Sequence, residues 1–183
     1  ASCDTGNCVN GKGTATFLTG EVYTGQWKNG LRHGKGILII PSDYGNYNDR
    51  YEGYWKDDKQ HGKGFLRITP EEFNGTWVNG ELNGKGSYLH FDGTKYVGTF
   101  KNGKFDGKGI LLTPLDDAIP SRRFLKYEGE FKEGLYHGMG VLTKPSKDGI
   151  LKYVGKFEND KILFEGKCFK NDKEVDCNVI DLK

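Results

Sequence analysis

Large apolar side chains recur at alternate positions in short segments of the chain. In Tyr23-Thr24-Gly25-Gln26-Trp27, a glycine lies midway between two rings. Alternate residues of a strand share one face, so this pattern predicts a strand with both rings on one side and Thr24 and Gln26 on the solvated side. A glycine between two rings leaves a notch in which another ring can approach closely.

The same segment recurs along the chain with starts 22 to 31 residues apart. Five further copies begin at Tyr51, Phe73, Tyr96, Tyr127 and Tyr153. A second motif, His-Gly-Lys-Gly or a close variant, follows the first five copies and begins at His33, His61, Asn83, Asp106 and His137. Self-similarity at such a period is typical of repeat proteins.

Turn signals between the two motifs indicate that each unit is an antiparallel β-hairpin. They include Asn29-Gly30, Asn79-Gly80 and Asn102-Gly103, and both residue types tolerate positive φ. The second strand is expected to begin at the glycines of the His-Gly-Lys-Gly motif. Six hairpins and an opening half-repeat at 10–13 predict about thirteen strands. The predicted fold is all-β: a single-layer, elongated, twisted antiparallel sheet of stacked hairpins.

The combined pattern, Tyr-x-Gly-x-Trp/Phe followed by His-Gly-x-Gly, resembles the MORN repeat (membrane occupation and recognition nexus). The resemblance implies a one-layer sheet of hairpins, and the family's name implies lipid binding. The sequence departs from the pattern at Phe73, which replaces tyrosine, and at Asp58 and Asp160, which replace the central glycine. The sixth copy lacks the second motif.

The repeats define the expected domain organisation. Residues 1–22 are expected to form an N-terminal cap with the half-repeat, residues 23–163 the repeat sheet, and residues 164–183 a degenerate C-terminal cap. Atypical end units are expected because an open stack must cap its ends. Three insertions between hairpins, 41–50, 114–126 and 145–152, are expected to project from one edge of the sheet, where insertions often build a binding face.

Composition narrows the possible functions. The 28 glycines and the 13% aromatic content fit many tight turns between strands, not disorder. Lysine and arginine number 27 against 25 acidic residues, which gives no general electrostatic case for binding nucleic acid. The longest apolar run, 37–40, is far shorter than the roughly 18 residues that a membrane-spanning helix needs.

The four cysteines form two local pairs, Cys3 with Cys8 and Cys168 with Cys177. Disulfides at both ends of the chain would indicate an oxidising, extracytoplasmic compartment, either secreted or in the cell envelope. Free thiols in a cytoplasmic protein and a four-cysteine metal site are the alternatives. The opening Ala1-Ser2-Cys3 also resembles the end of a bacterial lipoprotein signal, and lipidation of Cys3 would exclude its pairing with Cys8.

Two sets of repeated residues are candidate binding sites. The first is an aromatic trough, which either forms the core alone or also provides a groove for a peptide or helix; it comprises Tyr23, Trp27, Tyr51, Trp55, Phe73, Trp77, Tyr96, Phe100, Tyr127 and Phe131. The second is a lysine ladder that either is a solvated strand face or binds anionic lipid headgroups; it comprises Lys12, Lys35, Lys63, Lys85 and Lys108.

No catalytic motif is present in the sequence. The repeated histidines, His33, His61 and His137, are expected two strands apart, about 10 Å, which is too far for a shared metal. We expect them to bond the local backbone, and we expect neither a metal nor a cofactor. The sequence therefore predicts a non-enzymatic scaffold that binds a protein partner or itself through the trough, the inserted loops or the sheet edges. Peripheral binding to anionic membranes is the alternative.

Overall fold

A computed structural model describes residues 1–42, 48–115, 123–163 and 165–182 of the chain. These residues form sixteen strands and one 3-10 turn, Cys177–Val179. The strands are β1 (Ser2–Gly6), β2 (Gly11–Thr16), β3 (Val22–Lys28), β4 (Leu31–Ile40), β5 (Asp49–Lys56), β6 (Lys59–Ile68), β7 (Glu71–Val78), β8 (Glu81–His90), β9 (Lys95–Lys101), β10 (Lys104–Pro114), β11 (Phe124–Lys132), β12 (Leu135–Ser146), β13 (Gly149–Glu158), β14 (Lys161–Ile162), β15 (Lys167–Lys170) and β16 (Lys173–Val175).

The strands form one open antiparallel sheet in which they follow one another in chain order, with β14 paired to β13 beside that path. This confirms the all-β fold class. Contacts divide the chain into two compact units, Ala1–Tyr88 and Leu89–Lys183. No helix among the described residues has the length and apolar character needed to cross a membrane. The predicted boundaries of the two caps stay a prediction.

The expected strand count was too low because both ends of the chain add strands. At the start, β1 pairs with β2, and at the other end β15 pairs with β13 and then with β16. Each end is closed by a disulfide, Cys3–Cys8 and Cys168–Cys177. Both predicted pairings are confirmed, and the sulfur of Cys3 is therefore not free to carry a lipid.

Seven of the strand connections in the described residues are two-residue turns in which both central residues have positive φ, as a type I′ turn requires. This confirms the turns predicted at Asn29-Gly30, Asn79-Gly80 and Asn102-Gly103. The remaining four turns are Asp57-Asp58, Glu133-Gly134, Asn159-Asp160 and Asn171-Asp172.

Asp58 and Asp160 bind the turn region of the preceding hairpin. The Arg32 amide donates to Asp58 Oδ1 at 2.8 Å, and the Tyr136 amide donates to Asp160 Oδ1 at 2.7 Å. In return, the Asp58 amide donates to the Arg32 carbonyl at 3.0 Å and the Asp160 amide to the Tyr136 carbonyl at 3.1 Å. These departures from the glycine pattern therefore link adjacent hairpins through a side chain that glycine lacks.

The expected start of the second strand was wrong. The strand begins directly after the turn, at Leu31 in the first repeat, and the first glycine of the second motif lies inside it. There Gly34 has φ +64° and the pairing register shifts between Gly25 and Trp27, which marks a β-bulge. The bulge accommodates the extra residues that separate the turn from the second glycine.

The expectation that the insertions project from the sheet is wrong for 145–152, which is the one insertion that the structure describes in full. The insertion at 145–152 is a continuation of β12 and β13, which pair as far as Ser146 with Gly149, so it is a longer hairpin rather than a projecting loop. The added residues of the two strands pair with each other, as Lys144 does with Leu151 and Pro145 with Ile150. Residues 43–47 and 116–122, the centres of the other two insertions, lie outside the described residues.

Candidate functional site

We call the side of the sheet that carries Tyr23, Trp27 and their equivalents the ring face. Nine of the ten trough residues are buried there, and Phe73 is half-buried. The tyrosines of repeats 1, 2, 4 and 5 make edge-on contacts with a ring of their own repeat and with a ring of the next repeat. Tyr51, for example, lies 5.0 Å from Trp55 and 5.5 Å from Trp77 between ring centroids. The trough is therefore the core of the protein, and a binding role for it stays a prediction.

Polar atoms of these rings are bonded to the backbone. The hydroxyl of Tyr51 donates to the carbonyl of Tyr54 at 3.0 Å, and the tyrosines of repeats 1, 4, 5 and 6 make the equivalent bond. The indole of Trp77 donates to the carbonyl of Gly64 at 2.9 Å. Burial raises the pKa of Tyr23 to about 12 and also raises the pKa of Tyr51. These hydroxyls are structural donors and are held neutral.

The second glycine of each motif provides the notch for the tyrosine ring. A side chain on Gly36 would overlap the ring of Tyr23, and one on Gly64 would overlap the ring of Tyr51. Repeats 4 and 5 have the same arrangement at Gly109 against Tyr96 and at Gly140 against Tyr127. These glycines therefore let rings lie against the backbone, which adds to the turns that other glycines form and explains how one layer of sheet encloses a core.

The opposite side of the sheet, in residues 1–88, carries Lys12, Lys35 and Lys63, and we call it the lysine face. These three lysines lie on β2, β4 and β6, and all are exposed. The register places Lys12 opposite Gln26 and Lys35 opposite Tyr54, so they occupy one row across the strands. Successive lysines in this row are two strands, about 9.6 Å, apart.

The remaining two ladder lysines are also exposed. Lys85 lies on β8 within residues 1–88, and Lys108 lies on β10 within residues 89–183. Lys108 is opposite Glu130 in the register, so its neighbour is acidic. Lipid binding by the five lysines stays a prediction.

An open groove of about 750 Å³ lies on the lysine face, and sequence reasoning missed it. Exposed Tyr54 and Ile37 and half-buried Phe65 line it between Lys35 and Lys63. The signal was present in the sequence, because Tyr54 is an aromatic residue at a position where the other repeats carry glutamine, threonine, glutamate or lysine.

Positive charges outnumber negative ones in the described lining of this groove. The acid in it, Glu52, is paired with Arg50 at 2.9 Å, and the Arg50 guanidinium lies 5.7 Å from the centroid of the Phe65 ring. The ammonium group of Lys35 lies 5.9 Å from the Tyr54 ring. Among the described residues that line the groove, the lysines therefore have no unpaired acidic neighbour, which leaves a cationic, aromatic surface.

Within residues 89–183 the equivalent surface is more apolar. A smaller groove of about 460 Å³ is lined by Val97, Ile110 and Met139, with Val97 50% and Met139 51% exposed. Glu128 and Glu130 also line it, and Glu128 is paired with Lys126 at 2.7 Å. The same repeat positions thus carry different chemistry in the two units.

A second cavity of residues 89–183, about 900 Å³, lies under the C-terminal segment. Leu125, Tyr136 and Leu142 form one wall, and Ile180 and Leu182 form another. Burial, and then the charge of Asp160, raise the pKa of Tyr136 to about 12. Asp160, Lys161, Asn178 and Asp181 also line the cavity, so its surface combines apolar and charged groups.

The Nδ1 atoms of the three repeated histidines do not form the backbone bonds that we expected. Among the residues that the structure describes, the buried Nδ1 atoms of His33, His61 and His137 have no hydrogen-bond partner, although His33 Nδ1 lies 3.4 Å from a carboxylate oxygen of Asp57. Within the described part of the chain, no group of three histidine, cysteine or acidic side chains is placed to hold a metal.

Comparison with protein families identifies the repeat. The sequence profile of the MORN repeat matches residues 23–43, 51–68, 73–95, 96–114 and 127–149, more than half of the chain. The chain belongs to the MORN repeat family. These MORN matches coincide with the first five copies, and the sixth, at Tyr153, keeps the buried tyrosine although the profile does not extend to it. No curated protein matches the chain.

MORN repeats are in general modules for interaction with proteins or membranes. In this MORN protein the ring face is occupied by its own core, whereas the lysine face is open to solvent. Residues 1–88 therefore carry an exposed surface in addition to the trough that the sequence suggested.

Proposed function

We propose that the protein is a non-catalytic scaffold that binds a protein partner or a second copy of itself. The observation that carries the proposal is the open sheet face on which aromatic and apolar side chains such as Tyr54, Val97 and Met139 remain exposed beside charged groups. Such mixed surfaces are typical of interaction sites, whereas catalysis needs converging groups in a sheltered cleft.

The test combines two measurements on the full chain. Light scattering after size exclusion reports self-association, and chemical crosslinking in a source-cell extract, followed by mass spectrometry, reports a partner and the contacting residues. We expect either a discrete oligomer or a stoichiometric partner whose crosslinks map to exposed sheet residues. A monomer that captures no protein in stoichiometric yield would contradict the proposal.

Matched variants make the test specific. Tyr54→Thr introduces the residue found at that position in repeats 3 and 4, and Met139→Lys restores the motif lysine of the first four repeats. Both substitutions use residues that this sheet already accommodates, so the fold should be retained, which circular dichroism checks. We expect at least one of them to lower the capture yield.

Peripheral membrane binding is the second candidate, and the row of Lys12, Lys35 and Lys63 favours it. Each lysine near an anionic bilayer contributes about 1 kcal/mol, so three together correspond to roughly 100-fold in affinity. Co-sedimentation with phosphatidylserine vesicles should be salt-sensitive and should be lost in a Lys12→Gln, Lys35→Gln, Lys63→Gln triple variant. Absence of sedimentation at low salt would exclude this function.

An extracytoplasmic location is part of the proposal, and both disulfides support it because such bonds persist in oxidising compartments. Intact mass of protein isolated from its source without reductant, compared before and after reduction, tests it. We expect a gain equal to four hydrogen atoms. No gain would favour the cytoplasm.

A further inference from the structure

We propose that the lysine face of residues 1–88 is a docking site for an acidic segment in the polyproline II conformation, with an acidic residue at every third position. The inference rests on the proposed scaffold function and names the chemistry of the partner. It draws on the spacing of the lysines, on the aromatic residue between them and on the absence of free acidic charge in the groove.

Spacing supplies the first argument. Lys12, Lys35 and Lys63 follow one another at two-strand intervals of about 9.6 Å. A polyproline II helix has three residues per turn and rises about 3.1 Å per residue, so its every third side chain lies about 9.3 Å further along the same side. Over both intervals the mismatch stays below about 1 Å. A β-strand fits less well because its same-face side chains repeat roughly every 6.6 Å.

The surface between the lysines supplies the second argument. Tyr54 lies in the row between Lys35 and Lys63 and is 45% exposed, and Ile37 and Phe65 flank it in the groove. Grooves lined by aromatic side chains recognise proline-rich segments because proline rings pack against the flat faces and the segment is already extended before it binds. Prolines between the acidic residues would contact this floor.

Charge complementarity supplies the third argument. The net charge of the whole chain is only +2, yet the acid in the groove, Glu52, is paired with Arg50. Another nearby acid, Asp58, lies in a turn and is paired with Arg32 at 3.1 Å. The lysine row therefore presents positive charge toward a ligand that carries negative charge at matching intervals.

Fluorescence anisotropy with two synthetic peptides tests the inference on the full chain. The first is a labelled peptide of Glu-Pro-Pro repeats, and the second has the same composition with all glutamates in one block. We expect the periodic peptide to bind at least about fivefold more tightly at low salt, because only its charges match all three lysines.

Variants locate the site. Tyr54→Thr and the double change Lys35→Gln with Lys63→Gln should each weaken binding of the periodic peptide about tenfold. Lys108→Gln is the matched control, because it removes a motif lysine from residues 89–183, where Glu130 is its neighbour. It should change the affinity by less than about twofold.

Every other outcome overturns the inference. Equal binding of both peptides would show attraction to any polyanion, and an unchanged affinity in Tyr54→Thr would show that the ring is not part of the site. Binding of phosphatidylserine vesicles without binding of either peptide would assign the lysine face to membranes. If neither peptide binds while crosslinking still yields a partner, the docking chemistry is wrong and the scaffold function stands.

Discussion

Replacement of Gly36 by alanine should destabilise residues 1–88 much more than replacement of Gly30. Gly36 has an ordinary backbone conformation, but a Cβ there would overlap the ring of Tyr23. Gly30 has the opposite properties, since its φ is +75° and no atom lies within 4 Å of a Cβ placed on it. The two substitutions therefore separate steric overlap from backbone strain within one repeat.

The magnitude follows from what the Tyr23 ring would lose. Overpacking alone costs about 1–3 kcal/mol. A displaced ring also weakens its hydroxyl bond to the Gln26 carbonyl and its edge-on contacts with Trp27 and Trp55, each worth about 0.5–1.5 kcal/mol. A ring that moves away relieves the overpacking but loses these contacts, so the two costs do not add in full. We therefore expect Gly36→Ala to lower the free energy of unfolding by about 3 kcal/mol. Gly30→Ala costs only the left-handed backbone strain, about 1 kcal/mol.

Urea unfolding followed by tryptophan fluorescence measures this difference, because all three tryptophans lie in residues 1–88. With a slope of about 1.5 kcal/mol per molar urea, Gly36→Ala should lower the midpoint by about 2 M and Gly30→Ala by about 0.7 M. In a Tyr23→Leu background the cost of Gly36→Ala should fall below about 1 kcal/mol, because the overlapping ring is gone. Equal midpoints for the two alanine variants, or an unchanged cost in that background, would refute the steric explanation.

Three further predictions address other features. Burial raises the pKa of Tyr23 to about 12, above the unfolded value near 10. The contribution of Tyr23 to stability is therefore complete below pH 10 and is lost as the pH rises toward 12. Urea titrations across this range should show falling midpoints, and midpoints that do not change with pH would contradict the burial argument. Asp58→Ala should cost about 1–2 kcal/mol, because it removes the carboxylate that accepts from the Arg32 amide and guanidinium. Asp57→Ala is the control in the same assay, because it also places alanine at a positive φ but removes an exposed carboxylate whose contact is His33 at 3.4 Å. Replacement of Cys168 and Cys177 by serine should lower the free energy of unfolding by about 2–3 kcal/mol, as expected for a loop of this length. Calorimetry should show a lower melting temperature for residues 89–183. An unchanged melting temperature would mean that the bond does not restrain the unfolded chain.

Much of the fold could be predicted because the core is local and repeated. A ring, a glycine and a second ring at alternate positions, followed by a positive-φ turn, specify a hairpin without any long-range information, and the structure confirms that unit. The bulge at Gly34 could not be placed in the same way. It depends on how many residues must fit between a turn and the next notch, which is a property of paired strands and not of either strand alone.

The open groove was harder to predict than the core. Tyr23 and Tyr54 are both aromatic residues on strands, but Tyr23 is fully buried and Tyr54 is 45% exposed. They differ because alternate residues of a strand point to opposite sides of the sheet, so that Tyr23 lies on the ring face and Tyr54 on the lysine face. Composition and net charge did not help, because acids that balance the lysines in sequence lie elsewhere in the fold, as Asp58 does in its turn.

The alternation of each strand between the two sides of the sheet determines which residues can vary with the partner. Residue types on the ring face are constrained by packing, since the glycine must be small and the ring must fill the notch beside it. The neighbouring position, on the opposite side of the sheet, contributes its backbone carbonyl to a tyrosine hydroxyl of the core in the repeats that carry tyrosine, and its side chain varies from Gln26 through Tyr54 and Thr76 to Glu130. A side chain that fills no notch can change in charge and shape at less cost to the core than a ring can, although some of these side chains bond the paired strand, as Gln26 does with the Lys35 amide at 2.8 Å. Partner recognition is therefore expected to depend on the lysine face, where Tyr54 interrupts an otherwise polar row, more than on the buried rings that the repeat pattern makes conspicuous.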